Sequence, residues 1–117
     1  MVRIETLAQD GCFAPTLIAA TLRTTKEEVA QTVGLGRDAL MRTSRIQSSK
    51  TQKRLREMVE ILNRVEPRFG SALVAYAWYR SEPLAGFDGM TAMHLVQEGR
   101  AADVMDYIDA VDAGVHA

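Results

Sequence analysis

The chain has 117 residues, a formal net charge of −1, 47% hydrophobic and 25% charged residues, and a mean hydropathy of −0.09. This is the composition of a soluble globular protein with one modest core, which argues against a disordered chain. No apolar run approaches the roughly 18 residues that cross a membrane, and the start MVRIETLAQDG lacks the apolar segment of a secretory signal. We therefore expect no membrane contact. Because the single cysteine Cys12 has no second cysteine to pair with, we also expect a reducing, cytoplasmic location.

The small net charge hides two opposed blocks. Residues 23–56 hold nine Lys or Arg and three Asp or Glu, which gives +6, whereas residues 82–117 hold seven acids and one base, which gives −6. A basic half indicates a polyanion such as DNA as partner. An acidic half indicates a basic protein surface as partner, or serves solubility alone.

The first half of the chain predicts short helices. Residues 1–13 show no strong period and are predicted to form an arm, after which Pro15 can occupy the first turn of a helix. The sequence Thr25-Lys-Glu-Glu28 is a capping box, in which each side chain can bond the other's backbone N–H. The short helix that it begins is expected to end at Gly34, since glycine adopts the left-handed conformation readily.

A second short helix is predicted from about Arg37 to Thr43, with Leu40 as its apolar anchor. Two short helices joined by a glycine turn, the first containing the small Ala30, have the spacing of a helix-turn-helix motif. A plain helical hairpin with solvated arginines is the alternative. If the motif is present, its second helix would lie in the major groove of DNA.

The candidate DNA-binding residues are the basic side chains on and after this second helix. Arginine suits both phosphate and guanine because its planar fork donates two parallel hydrogen bonds. We expect Arg37 and Arg42 to make the specific contacts and the following basic residues to contact phosphates: Arg45, Lys50, Lys53 and Arg54.

The middle of the chain predicts two longer helices. Residues 50–65 carry an amphipathic stripe with helical spacing, formed by Leu55, Met58, Val59, Leu62 and Val65. A new helix is predicted to begin at Glu66–Pro67 and to be apolar almost all round as far as Tyr79. Such a helix must be covered on most sides by its own chain or by a partner, so we expect a homodimer or higher oligomer.

The last third predicts a loop and two helices. Residues 81–90 contain a proline and two glycines and are expected to form the loop, after which Thr91 caps a short helix that ends at Gly99. The last helix is predicted over residues 100–113, with Gly114 ending it. No strand-length alternation of apolar and polar residues occurs, so the fold class is all-α.

Catalytic motifs are poor in this sequence. His94 and His116 are isolated, Cys12 belongs to no Cys-x-x-Cys pair, and no glycine-rich phosphate loop follows a strand. We therefore expect a non-enzymatic protein that needs no cofactor and no metal.

The segment from Trp78 onward contains a series of residues whose order and spacing match the pattern of a known family. They are Trp78, Pro83-Leu84, Gly89-Met-Thr91, Leu95-Val96, Gly99, Val104, Ile108 and Gly114-Val115. In this order and spacing the chain resembles the antitoxins with an Xre/MbcA/ParS-type toxin-binding domain. The stretch Arg54–Gly70 resembles the family's connecting helix, so the resemblance covers roughly residues 15–117. The chain departs from the family pattern at Ala92 and His94, where the family has proline and an acid.

The resemblance implies an Xre-like helix-turn-helix with its connecting helix in residues 1–66 and a helical toxin-binding domain in residues 67–117. It also implies an antitoxin that inhibits a RES-domain toxin, an enzyme that consumes NAD, and that represses its own operon. In that family the C-terminal residues occlude the NAD pocket. The toxin-binding residues here would be Asp109, Asp112, Ala113, Gly114, Val115, His116 and Ala117.

Two kinds of function therefore stay open at this stage. The first is an antitoxin that forms a hetero-oligomer with its toxin, with operator DNA as a second partner. The alternative is a DNA-binding transcriptional regulator whose C-terminal half only dimerises.

Overall fold

The computed structural model describes residues 7–9 and 11–114. In chain order, its elements are strands β1 (Ala8–Gln9) and β2 (Cys12–Phe13), helices α1 (Pro15–Thr21) and α2 (Lys26–Thr32), a 3₁₀ turn (Arg37–Leu40), and helices α3 (Thr43–Ile46), α4 (Ser49–Phe69), α5 (Ala72–Ser81), α6 (Ala92–Gln97) and α7 (Ala101–Asp112). The two strands form a small antiparallel hairpin. Helices dominate this part of the chain, as the all-α prediction requires.

Helix starts follow the caps predicted from the sequence. The hydroxyl of Thr25 accepts a hydrogen bond from the backbone N–H of Glu28 at 3.1 Å, and the hydroxyl of Thr91 accepts one from His94 at the same distance. Helix α6 forms although His94 stands where the family pattern has an acid, since the cap at Thr91 is present. The imidazole Nε2 of His94 lies 2.8 Å from the carboxylate of Glu98, one turn later. The starts of α2 and α6 are confirmed.

The predicted helix from Arg37 to Thr43 is wrong. A 3₁₀ turn ends at Leu40, the backbone of Arg42 is extended, and the four-residue α3 follows. Residues three and four after Leu40 are Thr43 and Ser44, so a continuous helix would have no apolar stripe to bury. Breaking the chain at Arg42 instead leaves Leu40 fully buried, with Ile46 half-buried on α3.

The helix predicted to begin at Pro67 is also wrong, because α4 runs on to Phe69 with Pro67 inside its last turn. Proline there loses one backbone hydrogen bond, and its ring is exposed. The helix ends at Gly70, whose φ is +80°, and Ser71 caps α5 by accepting from Val74 at 3.1 Å. The glycine–serine pair was the stop and start signal that the sequence interpretation missed.

Helix α4 is the central element of the core. The five residues of its predicted stripe are all buried, and they contact one continuous apolar cluster that extends from Leu7 to Ile108. Helices α5, α6 and α7 and strand β2 all pack on α4. The predicted boundary between two domains, after residue 66, lies inside α4. The division of the chain into two domains remains a prediction.

Helix α7 lies within the bounds predicted for the last helix and packs one apolar face on the core. Ala101, Val104 and Ile108 are buried against the core, while Met105 and Val111 are half-buried. The opposite face of α7 is therefore exposed to solvent. The described chain ends at Gly114, two residues after the helix.

Candidate functional site

Three of the predicted DNA-binding residues surround one open groove. Arg37, Arg45 and Lys50 line a groove of about 500 Å³ between the 3₁₀ turn, α3 and the start of α4. All three side chains are exposed. Although the regular second helix is missing, the fold thus still gathers three exposed cationic side chains around one groove.

Arg42 and Lys53 lie beside this groove rather than in it. Arg42 shares a smaller adjoining groove with Arg45, Met41 and Asp38. Asp38 lines both grooves and places one negative charge among the cations. Lys53 is exposed on the first turns of α4.

Arg54 does not point outward with the other basic residues. Its Nη1 donates to the backbone carbonyls of Val33 at 3.1 Å, Val96 at 2.5 Å and Gln97 at 3.5 Å. These carbonyls end helices α2 and α6, where partial negative charge accumulates. The guanidinium therefore caps two helix ends at once, in place of the phosphate contact expected from the sequence.

Arg54 is one of three side chains that donate to the carbonyls at the end of α2, at the junction where α2, α4, α5 and α6 meet. The Tyr79 hydroxyl donates to the carbonyl of Thr32, and the Gln97 amide donates to the carbonyl of Gln31, both at 2.8 Å. Gly34 allows this approach, because a Cβ at this position would lie 2.9 Å from the Cα of Gln97. No sequence motif predicted this junction, since its partners lie 21 to 66 residues apart.

A second polar contact joins α2 to α5. The hydroxyl of Tyr76 donates to the carboxylate of Glu28 at 2.6 Å, and the Arg80 guanidinium lies 4.3 Å from the centre of the Tyr76 ring. Hydrogen bonds from Thr24 and then from Tyr76 lower the pKa of Glu28 below its ordinary value of 4.5. Burial and the Glu28 carboxylate raise the pKa of Tyr76, so its phenol stays protonated as the donor.

Only part of the predicted toxin-binding set lies within the described residues. Ala113 and Gly114 are exposed after the last turn of α7, and Gly114 has a φ of +75°. Val115, His116 and Ala117 lie outside the described residues. The chain thus leaves its helix at an exposed position, and the expected role of the five residues remains a prediction.

The carboxylates of Asp109 and Asp112 form ion pairs with arginines of the same chain. Asp109 pairs with Arg64, and Asp112 pairs with Arg68 at 2.6 Å and with Arg64 at 3.4 Å. The hydrogen bond that Arg64 donates to the carboxylate of Asp109 raises the pKa of Arg64. Both acids lie in the last turn of α7, where negative charge is unfavourable, and α4 supplies the cations that pair with them. The sequence alone did not show this pairing.

Helix α5 exposes part of its apolar surface. Ala75, Tyr76 and Tyr79 are buried, whereas Leu73 is 37% and Val74 49% exposed. The near-complete apolar ring seen in the sequence is therefore covered on one side by the chain itself and open on the other.

The helices described here include none that is both long and apolar enough to cross a membrane. Across residues 7–9 and 11–114, no cluster of three His, Cys, Asp or Glu has the arrangement to hold a metal ion.

The described residues thus form one helical core, with a basic groove beside the start of α4 and an acidic last helix that is ion-paired to α4. A family model described as the antitoxin Xre/MbcA/ParS C-terminal toxin-binding domain matches residues 54–114, just over half of the chain. The chain therefore belongs to the Xre/MbcA/ParS antitoxin family. Searches of curated proteins and of solved structures returned no match.

Proposed function

We propose that this protein is the antitoxin of a type II toxin–antitoxin pair and acts as a non-catalytic inhibitor of a RES-domain toxin that consumes NAD. In this proposal residues 113–117 enter the NAD pocket of the toxin and block it. We expect the toxin to be encoded beside this chain, and an operon without a RES-domain reading frame would contradict the proposal.

The observation that carries the proposal is the family match to a toxin-binding domain that ends at residue 114, two residues after the end of the last helix at Asp112. Val115 and Ala117 are small and apolar, so they suit a narrow pocket. The net charge of −6 over residues 82–117 complements the electropositive site expected for anionic NAD.

The test is neutralisation of the neighbouring RES-domain protein by a chain shortened after Ala113. We expect this truncation to keep the helical circular dichroism spectrum but to lose inhibition of NAD consumption and rescue of growth. A matched variant of full length, with Val115→Gly, His116→Ser and Ala117→Gly, separates side-chain identity from chain length and should also fail. Full rescue by the truncation would mean that inhibition resides elsewhere.

DNA binding is a second proposed activity, supported by the exposed groove of Arg37, Arg45 and Lys50. We expect Arg42→Ala to weaken binding to the operon's upstream DNA by roughly 1–3 kcal/mol. Affinity should fall steeply with salt, because neutralised phosphates release counterions. Arg80→Ala, a change outside the basic block, is the control. Absence of binding to this DNA would remove the repressor role, whereas binding without toxin neutralisation would favour the alternative of a plain regulator.

Self-association is proposed to use the open side of α5. Light scattering should show a mass above that of the monomer, and Leu73→Glu should reduce it by placing a charge in the interface. Leu17 on α1 has the same 37% exposure, so Leu17→Glu is a matched control that should leave the mass unchanged. A monomeric mass of the unaltered chain at high micromolar concentration would contradict this proposal.

A further inference from the structure

The last turn of α7 is tied to α4 by a cluster of ion pairs. Arg64 contacts both Asp109 and Asp112, and Arg68 reaches Asp112 at 2.6 Å. The two helices are far apart in sequence, since Arg64 and Asp109 are separated by 45 residues. The cluster therefore holds the C-terminal end of α7 against the C-terminal end of α4. An ion pair between residues of a single helix would not connect two elements in this way.

Because Asp109 and Asp112 lie in the last turn of α7, their ion pairs with Arg64 and Arg68 affect how stable this turn is. The C-terminal end of a helix carries partial negative charge, so two carboxylates in its last turn repel the free carbonyls and favour fraying. Arginines that pair with those carboxylates supply positive charge at the same place and reverse the effect. The exposed fractions of the four side chains lie between 34% and 60%, and exposed ion pairs of this kind add little to global stability.

We propose that Arg64 and Arg68 are positioning residues that hold the last turn of α7 helical, so that the chain leaves Gly114 in the direction that toxin binding requires. The inference rests on the proposed function, in which residues 113–117 enter the toxin. A frayed last turn would have to be ordered during binding, and this entropy loss weakens affinity. Asp109 and Asp112 then act through the two arginines and need not contact the toxin.

The central experiment compares the variant Arg64→Ala/Arg68→Ala with the unaltered chain. Affinity for the neighbouring RES-domain protein is measured by calorimetry, and fraying of residues 111–114 by amide hydrogen exchange in the free protein. We expect faster exchange at these amides and an affinity about tenfold lower, with a nearly unchanged melting temperature. Long-range electrostatics alone would predict tighter binding, because the variant loses two positive charges near an electropositive partner.

A charge-swapped variant separates positioning from direct contact. Arg64→Asp, Arg68→Asp, Asp109→Arg and Asp112→Arg together restore every pair with reversed sign, so affinity should return to within about threefold of the unaltered chain. If the acids contact the toxin directly, this variant will bind no better than the double alanine variant, and the inference is wrong. Arg56→Ala is the matched control, because its 3.8 Å pair with Glu60 joins residues of α4 alone.

The inference and the function on which it rests can fail separately. Full inhibition by the chain shortened after Ala113 would refute the proposed function. Loss of inhibition by that truncation, together with unchanged affinity of Arg64→Ala/Arg68→Ala, would refute only the positioning role.

Discussion

Replacing Gly34 by alanine tests how closely α2 and α6 approach each other. Gly34 has a φ of +77°, and a Cβ there would lie 2.9 Å from the Cα of Gln97 and 3.2 Å from Nη1 of Arg54. The nearest atom belongs to the backbone, so it cannot rotate away. The added methyl group must therefore push α6 and α2 apart and disturb the arginine that caps both helices.

Two penalties combine in this variant. The left-handed conformation costs a non-glycine residue about 1–2 kcal/mol, and overpacking of a close contact costs about 1–3 kcal/mol. We expect Gly34→Ala to lower the free energy of unfolding by about 2–5 kcal/mol. For a chain of this size each kcal/mol corresponds to a melting temperature lower by about 4 °C.

Gly70→Ala is the matched control, because Gly70 has a φ of +80° but no atom lies within 4 Å of the position that an alanine Cβ would occupy. It carries the conformational penalty without the contact, and we expect a loss of about 1–2 kcal/mol. Urea unfolding of both variants measures the difference, which isolates the contact between the helices. Equal losses for the two variants, within about 0.5 kcal/mol, would refute a tight junction.

Three further predictions concern stability. Tyr79→Phe removes the buried donor to Thr32, and we expect urea unfolding to show a loss of about 1–2 kcal/mol; an unchanged midpoint would contradict this role. Tyr76→Phe should cost a similar amount at pH 7. Because the pKa of Glu28 is lowered from 4.5 in the folded protein, the ionised carboxylate stabilises the fold above pH 4.5, and this contribution is lost as the pH falls through the lowered pKa. The difference in unfolding free energy between Tyr76→Phe and the unaltered chain should therefore shrink in acid, and a constant difference would contradict the role of this hydrogen bond. Arg23 adopts a φ of +55°, and Arg23→Gly should raise thermal stability by up to about 1 kcal/mol, whereas a lower melting temperature would show that its side chain stabilises the fold.

Local signals in the sequence were sufficient for much of the helical framework. Thr25 and Thr91 cap helices with hydrogen bonds to residues three positions away, so neighbouring residues alone encode them. The same holds for the buried stripe of α4, whose helical spacing is visible in one segment. The end at Gly70 was equally local, but the preference of proline for a first helical turn led the interpretation to place a helix start at Pro67 instead.

The candidate sites depended more strongly on the tertiary structure. A basic block predicted exposed cations, and Arg37 and Arg45 do line a groove, but composition could not show that Arg54 turns inward. Whether a basic side chain meets solvent or a carbonyl depends on which helix end packs beside it, and that helix end lies up to 43 residues away in sequence.

The family, the helical fold class and the acidic charge of residues 82–117 can all be recognised from the amino-acid sequence, because they depend on local patterns and composition. Which of these charges are already paired within the chain depends on the tertiary structure, because packing α7 on α4 brings Asp109 and Asp112 to Arg64 and Arg68. Hydrogen bonds and ion pairs act over a few ångströms, whereas these partners are more than 40 residues apart. Their pairing therefore follows from the fold and could not be read from the local pattern.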